Sequence, residues 1–168
     1  MKKLLAGAAA VVVLAAVAGR QAQAQSAQIG ARATVQQALT VAAVDSLLFG
    51  AAFPGTTRNI LPSDAASGSF HLAGAAGAEV RLTFTLPATL VFGANNLPIT
   101  FGAGSAGYNV NSSRAGLTLF DPATVPLPRL SGATGNLYVY VGGSVSPTVQ
   151  PAGAYTAAIT LAVAYTGN

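Results

Sequence analysis

The side chains that could carry chemistry are few and scattered. His71 is the single histidine and the chain has no cysteine, so imidazole and thiolate donors for a zinc site are too few. A Ser-His-Asp relay could be drawn from His71, Asp64 and one of several serines. However, no G-x-S-x-G elbow presents a serine on the strand-to-helix turn that exposes a nucleophile. His71 lies in Ser69-Phe70-His71-Leu72, where alternation sets it opposite Phe70 and Leu72, at an exposed or rim position. Asp45, Asp64, Glu79 and Asp121 are well separated. They give neither the carboxylate pair of a glycosidase nor the dense loop of a calcium site. No catalytic residue, metal site or cofactor is expected, and the chain is not expected to be an enzyme.

Two motif matches fail on context. Gly102-Ala103-Gly104-Ser105-Ala106-Gly107 fits G-x-G-x-x-G, but Tyr108-Asn109-Val110-Asn111 comes next. That continuation has no helical pattern, and the motif works only where it opens a helix onto a pyrophosphate. Leu97-Pro98-Ile99-Thr100 is similar to a sortase signal, but Phe101 stands where Gly is required. The only lysines are Lys2 and Lys3. Lysine-based cross-links are therefore excluded from everything downstream of them.

Those two lysines belong to an N-terminal targeting pattern. Lys2 and Lys3 precede an apolar run from Leu4 to Ala18, and Ala22 and Ala24 supply the small residues of a cleavage site. The run is about 15 residues, against the roughly 20 needed to span a bilayer. Residues 1–24 are therefore expected to be a signal peptide cut after Ala24, and the product to be exported to the periplasm, cell surface or medium. Cleavage removes Lys2, Lys3 and Arg20. Arg32, Arg58, Arg81, Arg114 and Arg129 then face the four carboxylates, for a net charge of +1. No two arginines are adjacent, so neither a nucleic-acid footprint nor a basic membrane patch is present. No membrane span is expected in the mature chain.

The elements that must position these residues read as strands. Glu79–Leu86 alternates strictly, with Val80, Leu82, Phe84 and Leu86 on one face, and Pro87 stops it. A longer alternation runs from Tyr155 to Tyr165. Leu137–Val141 ends at Gly142-Gly143, a turn signal. Shorter candidates are Leu47–Gly50, Ser69–Ala73, Thr89–Phe92, Ile99–Phe101, Tyr108–Asn111 and Leu117–Phe120. Gly93-Ala94-Asn95-Asn96 and the proline-rich Asp121–Pro128 read as loops. Many short strands without a fixed repeat point to one all-β domain, an antiparallel β-sandwich over Gln37–Asn168.

Ahead of that domain, Gln25–Gln36 reads as an extension. Ala27, Ile29, Ala31, Ala33 and Val35 share one face, and the alternation resumes at Leu39, Val41 and Ala43. Together this makes about 18 extended residues, roughly 60 Å of strand. An unpaired apolar-faced strand invites another chain to pair with it. Ala27, Ile29, Ala31, Ala33 and Val35 are thus the candidate donor-strand residues.

Three features together resemble a known group of proteins: Leu48-Phe49-Gly50, the Gly142-Gly143 turn, and Gly153-Ala154-Tyr155 leading into the strand that ends at Tyr165. The chain resembles a bacterial family of small secreted proteins of unassigned function, and its ending looks like that of chaperone–usher pilin subunits and spore-coat-U-type proteins. The resemblance implies an immunoglobulin-like β-sandwich completed by a strand from the next subunit. It also implies a periplasmic chaperone and an outer-membrane usher as partners. Many pilin relatives carry a disulfide, which this chain cannot form.

The function expected is an exported structural subunit of a surface filament, pilus or coat, a homo-oligomer held by strand exchange. The alternative is a monomeric secreted carbohydrate- or surface-binding module, for which Tyr138 and Tyr140 are the candidate surface aromatics. An outer-membrane barrel is set aside, because its strands would run about 9–11 residues and most candidates here are shorter.

Overall fold

The computed structural model describes residues 27–33 and 35–167. The expected signal peptide with its cleavage residues Ala22 and Ala24, the extension residues Gln25 and Ser26, and Thr34 lie outside the described residues. The chain divides into two units, Met1–Thr34 and Val35–Asn168. In the first, Ala27–Ala33 takes no regular secondary structure and is exposed. The rest of the description concerns the second.

That unit is all-β, as expected, with antiparallel pairing throughout and no helix among the described residues. Its strands are β1 (Thr40–Asp45), β2 (Arg58–Ile60), β3 (Gly68–Ala73), β4 (Val80–Thr85), β5 (Thr89–Phe92), β6 (Asn95–Thr100), β7 (Ala106–Asn109), β8 (Thr118–Phe120), β9 (Asn136–Val141), β10 (Gly143–Val145) and β11 (Thr160–Tyr165). They form three sheets, ordered β1-β3-β9-β7-β8, β2-β10-β6-β5 and β11-β4.

Alternation explains the packing. Val80 and Leu82 of β4 turn inward and are fully buried, while Arg81 and Thr83 face out. They meet Leu72 of β3, Leu137 and Val139 of β9, Leu130 and Leu161 in one apolar core, between the five-stranded sheet and the β4–β11 layer. Burying one such side chain contributes about 1.5–3 kcal/mol. A second, smaller core gathers Leu97, Ile99 and Val145, with Leu90, Phe101 and Tyr155 against it.

The far edge of β4 is covered by the proline-rich segment. The Val80 and Leu82 N–H groups donate to the carbonyls of Pro128 and Pro126, at 2.9 and 3.2 Å. Prolines have carbonyls to offer but no N–H, so they can cap an edge without extending the sheet.

Several boundaries differ from the sequence expectation. Gly142-Gly143 does not end a strand in a turn. β9 lies in the five-stranded sheet, and after Gly142 the chain continues as β10 in the four-stranded sheet. A Cβ at Gly142 would strike the Ile60 carbonyl oxygen, so only glycine permits this close crossover. Asn95 and Asn96 belong to β6, and the β5–β6 turn is Gly93-Ala94 alone, with Gly93 at φ 57°. Leu47–Gly50 takes no strand conformation, and the C-terminal ladder covers only Thr160–Tyr165. The resumed N-terminal alternation is a strand over Thr40–Asp45, whereas Ala27–Ala33 is in no ladder.

Candidate binding cleft

One side of the sandwich is closed by continuous chain, because β8 runs on through Asp121 into the Pro126–Pro128 segment against β4. The other side is a seam between β1 and β11. Among the described residues β1 is hydrogen-bonded only to β3, and β11 only to β4, so each strand has an edge without a partner there. The seam is fastened where β1 begins and β11 ends. There the Tyr165 hydroxyl donates to the Gln37 carbonyl at 2.9 Å and accepts the Ala75 N–H at 2.7 Å.

Beyond that clasp lies a cleft of about 1050 Å³. Ala43 and Asp45 line it, as do Ala157, Ala158 and Ile159, together with Phe70, Val141 and the second-core residues Leu97, Ile99 and Val145. Leu47–Pro54, which includes the segment expected as a strand, forms part of its wall.

Tyr155–Ile159 is the informative part of the lining. Its sequence alternates like the strand it precedes, yet only Thr156 makes ladder bonds. Those bonds join Thr156 to Val91 of β5, at 2.9 and 3.1 Å. The reason is that β4 runs out. Thr160 is opposite Thr85, and Leu86-Pro87 comes next, so the residues before Thr160 have no neighbour to pair with on that side. Ala157 and Ala158 are exposed and Ile159 is half-buried.

The rim of the cleft is fixed electrostatically at the end of β1. A bulge at Val44 shifts the register so that Asp45, not Val44, is opposite Ser69. The carboxylate thereby reaches the outer face of the sheet. It accepts the Ser69 hydroxyl at 2.7 Å and the Arg114 guanidinium at 2.9 Å. The Ser69 hydrogen bond first, then Arg114, hold the Asp45 carboxyl below its ordinary value. Arg114 comes from the loop after β7. It passes over the Tyr140 ring at 4.9 Å and donates to the Ser67 hydroxyl at 3.2 Å.

Tyr140 is therefore not a surface aromatic. It is 3 % exposed beneath Arg114, and burial pushes its phenol up. Tyr138 is half-buried and stacks on His71, the residue directly across the ladder, with ring centroids 4.7 Å apart. His71 Nε2 lies 3.2 Å from Asn136 Oδ1, and Asp64 accepts the Leu61 N–H in a local turn. No Ser–His hydrogen bond links these groups among the described residues. The glycine-rich Gly102–Gly107 segment forms a turn leading into β7, so its backbone opens a strand and not a helix.

Of the candidate donor residues, Ala27, Ile29, Ala31 and Ala33 are exposed without ladder partners, as is Val35 at the start of the second unit. Ile29 is 95 % and Val35 96 % exposed. The cleft, the Asp45–Arg114 pair and the Tyr165 clasp are not legible in the sequence, because each joins residues distant along the chain. The one available signal is that β-pattern continues at Tyr155–Ile159 past the point where Pro87 ends its partner. No helix among the described residues is long and apolar enough to cross a membrane. No family model, curated protein or solved structure matches the chain.

Proposed function

We propose that this chain is an exported structural subunit of a surface filament, pilus or coat, in which a strand from another copy adds to the open seam between β1 and β11. The observation that carries this reading is the cleft. It has the unpaired edge of β1 on one side, an apolar lining, and on the other side the strand-patterned Ala157–Ile159, which has no ladder partner among the described residues. Added strands of this kind gain affinity from main-chain hydrogen bonds and selectivity from alternate side chains entering pockets. The matching donor is Gln25–Gln36, with Ala27, Ile29, Ala31, Ala33 and Val35 on its apolar face. Burying Ile29 and Val35 would contribute about 1.5–3 kcal/mol each.

The resemblance of the Gly153-Ala154-Tyr155 ending to chaperone–usher pilins supports the same reading. It brings with it an immunoglobulin-like completed sandwich, and a periplasmic chaperone and usher as handlers. Removal of residues 1–24 on export would then free the donor strand. The monomeric glycan-binding alternative drew on Tyr138 and Tyr140, and it loses Tyr140 to burial beneath Arg114.

Deleting residues 25–36 from the mature protein tests the proposal. Negative-stain electron microscopy and sizing chromatography should show filaments or oligomers for Gln25–Asn168 and monomers for the truncated chain. Equal assembly of the two would remove the donor strand from the account.

A further inference from the structure

A chain that carries both a donor strand and a matching cleft faces competition from itself. A strand tethered a few residues away acts at an effective concentration of about 1 mM, whereas a second copy is commonly present at micromolar levels. Folding back should therefore win by about a thousandfold unless something prevents it. Resting on the strand-addition reading, we propose that the Tyr165 hydroxyl, acting together with the turn chemistry of the Gln36–Ala38 junction, opposes it. By pinning the chain just ahead of β1, it keeps the extension out of its own cleft and reserves that cleft for a second copy.

The geometry supports this in three ways. The extension joins the domain at Gln37, whose carbonyl is held by Tyr165 at 2.9 Å, and the same hydroxyl is fixed by the Ala75 N–H at 2.7 Å. To enter its own cleft the chain would have to reverse within Gln36–Leu39 and run back along the free edge of β1. That reversal would break the Gln37 bond and strain Leu39, which packs against the main core. The hydroxyl also has a place made for it. A Cβ at Gly74 would collide with the Tyr165 oxygen, and would press on Leu39 and Leu130 at 3.0 Å. Only glycine there lets Tyr165, Leu39 and the start of β1 close together.

The sequence of the junction agrees. Gln36-Gln37-Ala38 contains none of the Gly, Asn or Asp residues that adopt the positive φ of a two-residue hairpin. Reversal is thus disfavoured by turn chemistry and opposed by the clasp. Head-to-tail pairing between copies does not close on itself unless symmetry forces a ring.

The test uses the mature chain and three variants: Tyr165→Phe; Gln36→Asn with Gln37→Gly, which supplies a hairpin turn; and the triple combination. Sizing chromatography across a concentration series is paired with hydrogen exchange of the Gln28–Ala33 amides. The wild type should assemble, with those amides protected only in the assemblies. The triple variant should raise the monomer fraction about tenfold or more, independent of concentration and with the same amides protected in the monomer. The double variant, with the clasp intact, should assemble as the wild type does. Slow exchange of the β4 and β11 amides shows that each variant is folded. If the triple variant keeps wild-type assembly, or the double variant alone yields closed monomers, Tyr165 does not oppose folding back. A wild-type monomer with a protected extension overturns the proposal directly, because the strand has then entered its own cleft. A wild-type monomer whose extension exchanges freely instead sinks the strand-addition reading, and this inference with it.

Discussion

Asp45 is half-exposed, with 49 % of its side chain accessible, yet it anchors the end of β1 through Ser69 and Arg114. Because its carboxyl is held below the ordinary value of 3.8, the unfolded chain binds more protons than the folded one in that range. Stability from this group is therefore fully present above pH 3.8, and is lost as pH falls through the lower folded value. Asp45→Asn should lower the melting temperature at pH 7, and the gap to wild type should shrink on acidification below about pH 4. A constant gap across that window would assign the loss to packing and not to charge. Alternation alone places Tyr138 and Tyr140 on one strand face. It cannot show that Arg114, far along the chain, lies over Tyr140 and closes it off.

The elements that are easy to read are those with a buried partner at their apolar positions. β4 alternates strictly because Val80 and Leu82 enter the main core while Arg81 and Thr83 meet solvent. Leu82→Ala should cost about 2–5 kcal/mol in urea unfolding, since the site is fully buried and surrounded by other core side chains. β2 and β10 are invisible to pattern because Arg58-Asn59-Ile60 and Gly143-Ser144-Val145 each offer a single large apolar side chain, whereas the equally short β8 has Leu119 and Phe120. Gly142 misleads for a different reason. Its composition signals a turn, but its role is to let the chain pass the Ile60 carbonyl while changing sheets. Gly142→Ala should accordingly destabilise by about 1–3 kcal/mol as an overpacking change, because the obstructing atom is backbone. Unfolding at the wild-type midpoint would show that the crossover has slack.

At the scale of the whole molecule, the sandwich has one closed side and one open side, and the difference lies in how each edge strand is covered. β8 is continued by a proline-rich segment that caps β4, whereas β11 and β1 meet at the Tyr165–Gln37 clasp. The predicted strand is longer than the observed one because β4 ends at Thr85 opposite Thr160, and of Tyr155–Ile159 only Thr156 finds a partner, Val91. A synthetic peptide of residues 25–36 should therefore complete the truncated domain, Gln37–Asn168. At a hundredfold excess over its dissociation constant, binding to the folded state alone stabilises by about 2.7 kcal/mol, a rise on the order of 10 °C in melting temperature for a domain of this size. Arg32 is the only charged residue of the peptide, so the effect should change little between low and high salt. An Ile29→Asp peptide should lose it, since the cleft would have to desolvate an unpaired carboxylate. If the two peptides shift the melting temperature equally, side chains are not entering the cleft. If neither shifts it at any concentration, the open seam is not an acceptor for this strand.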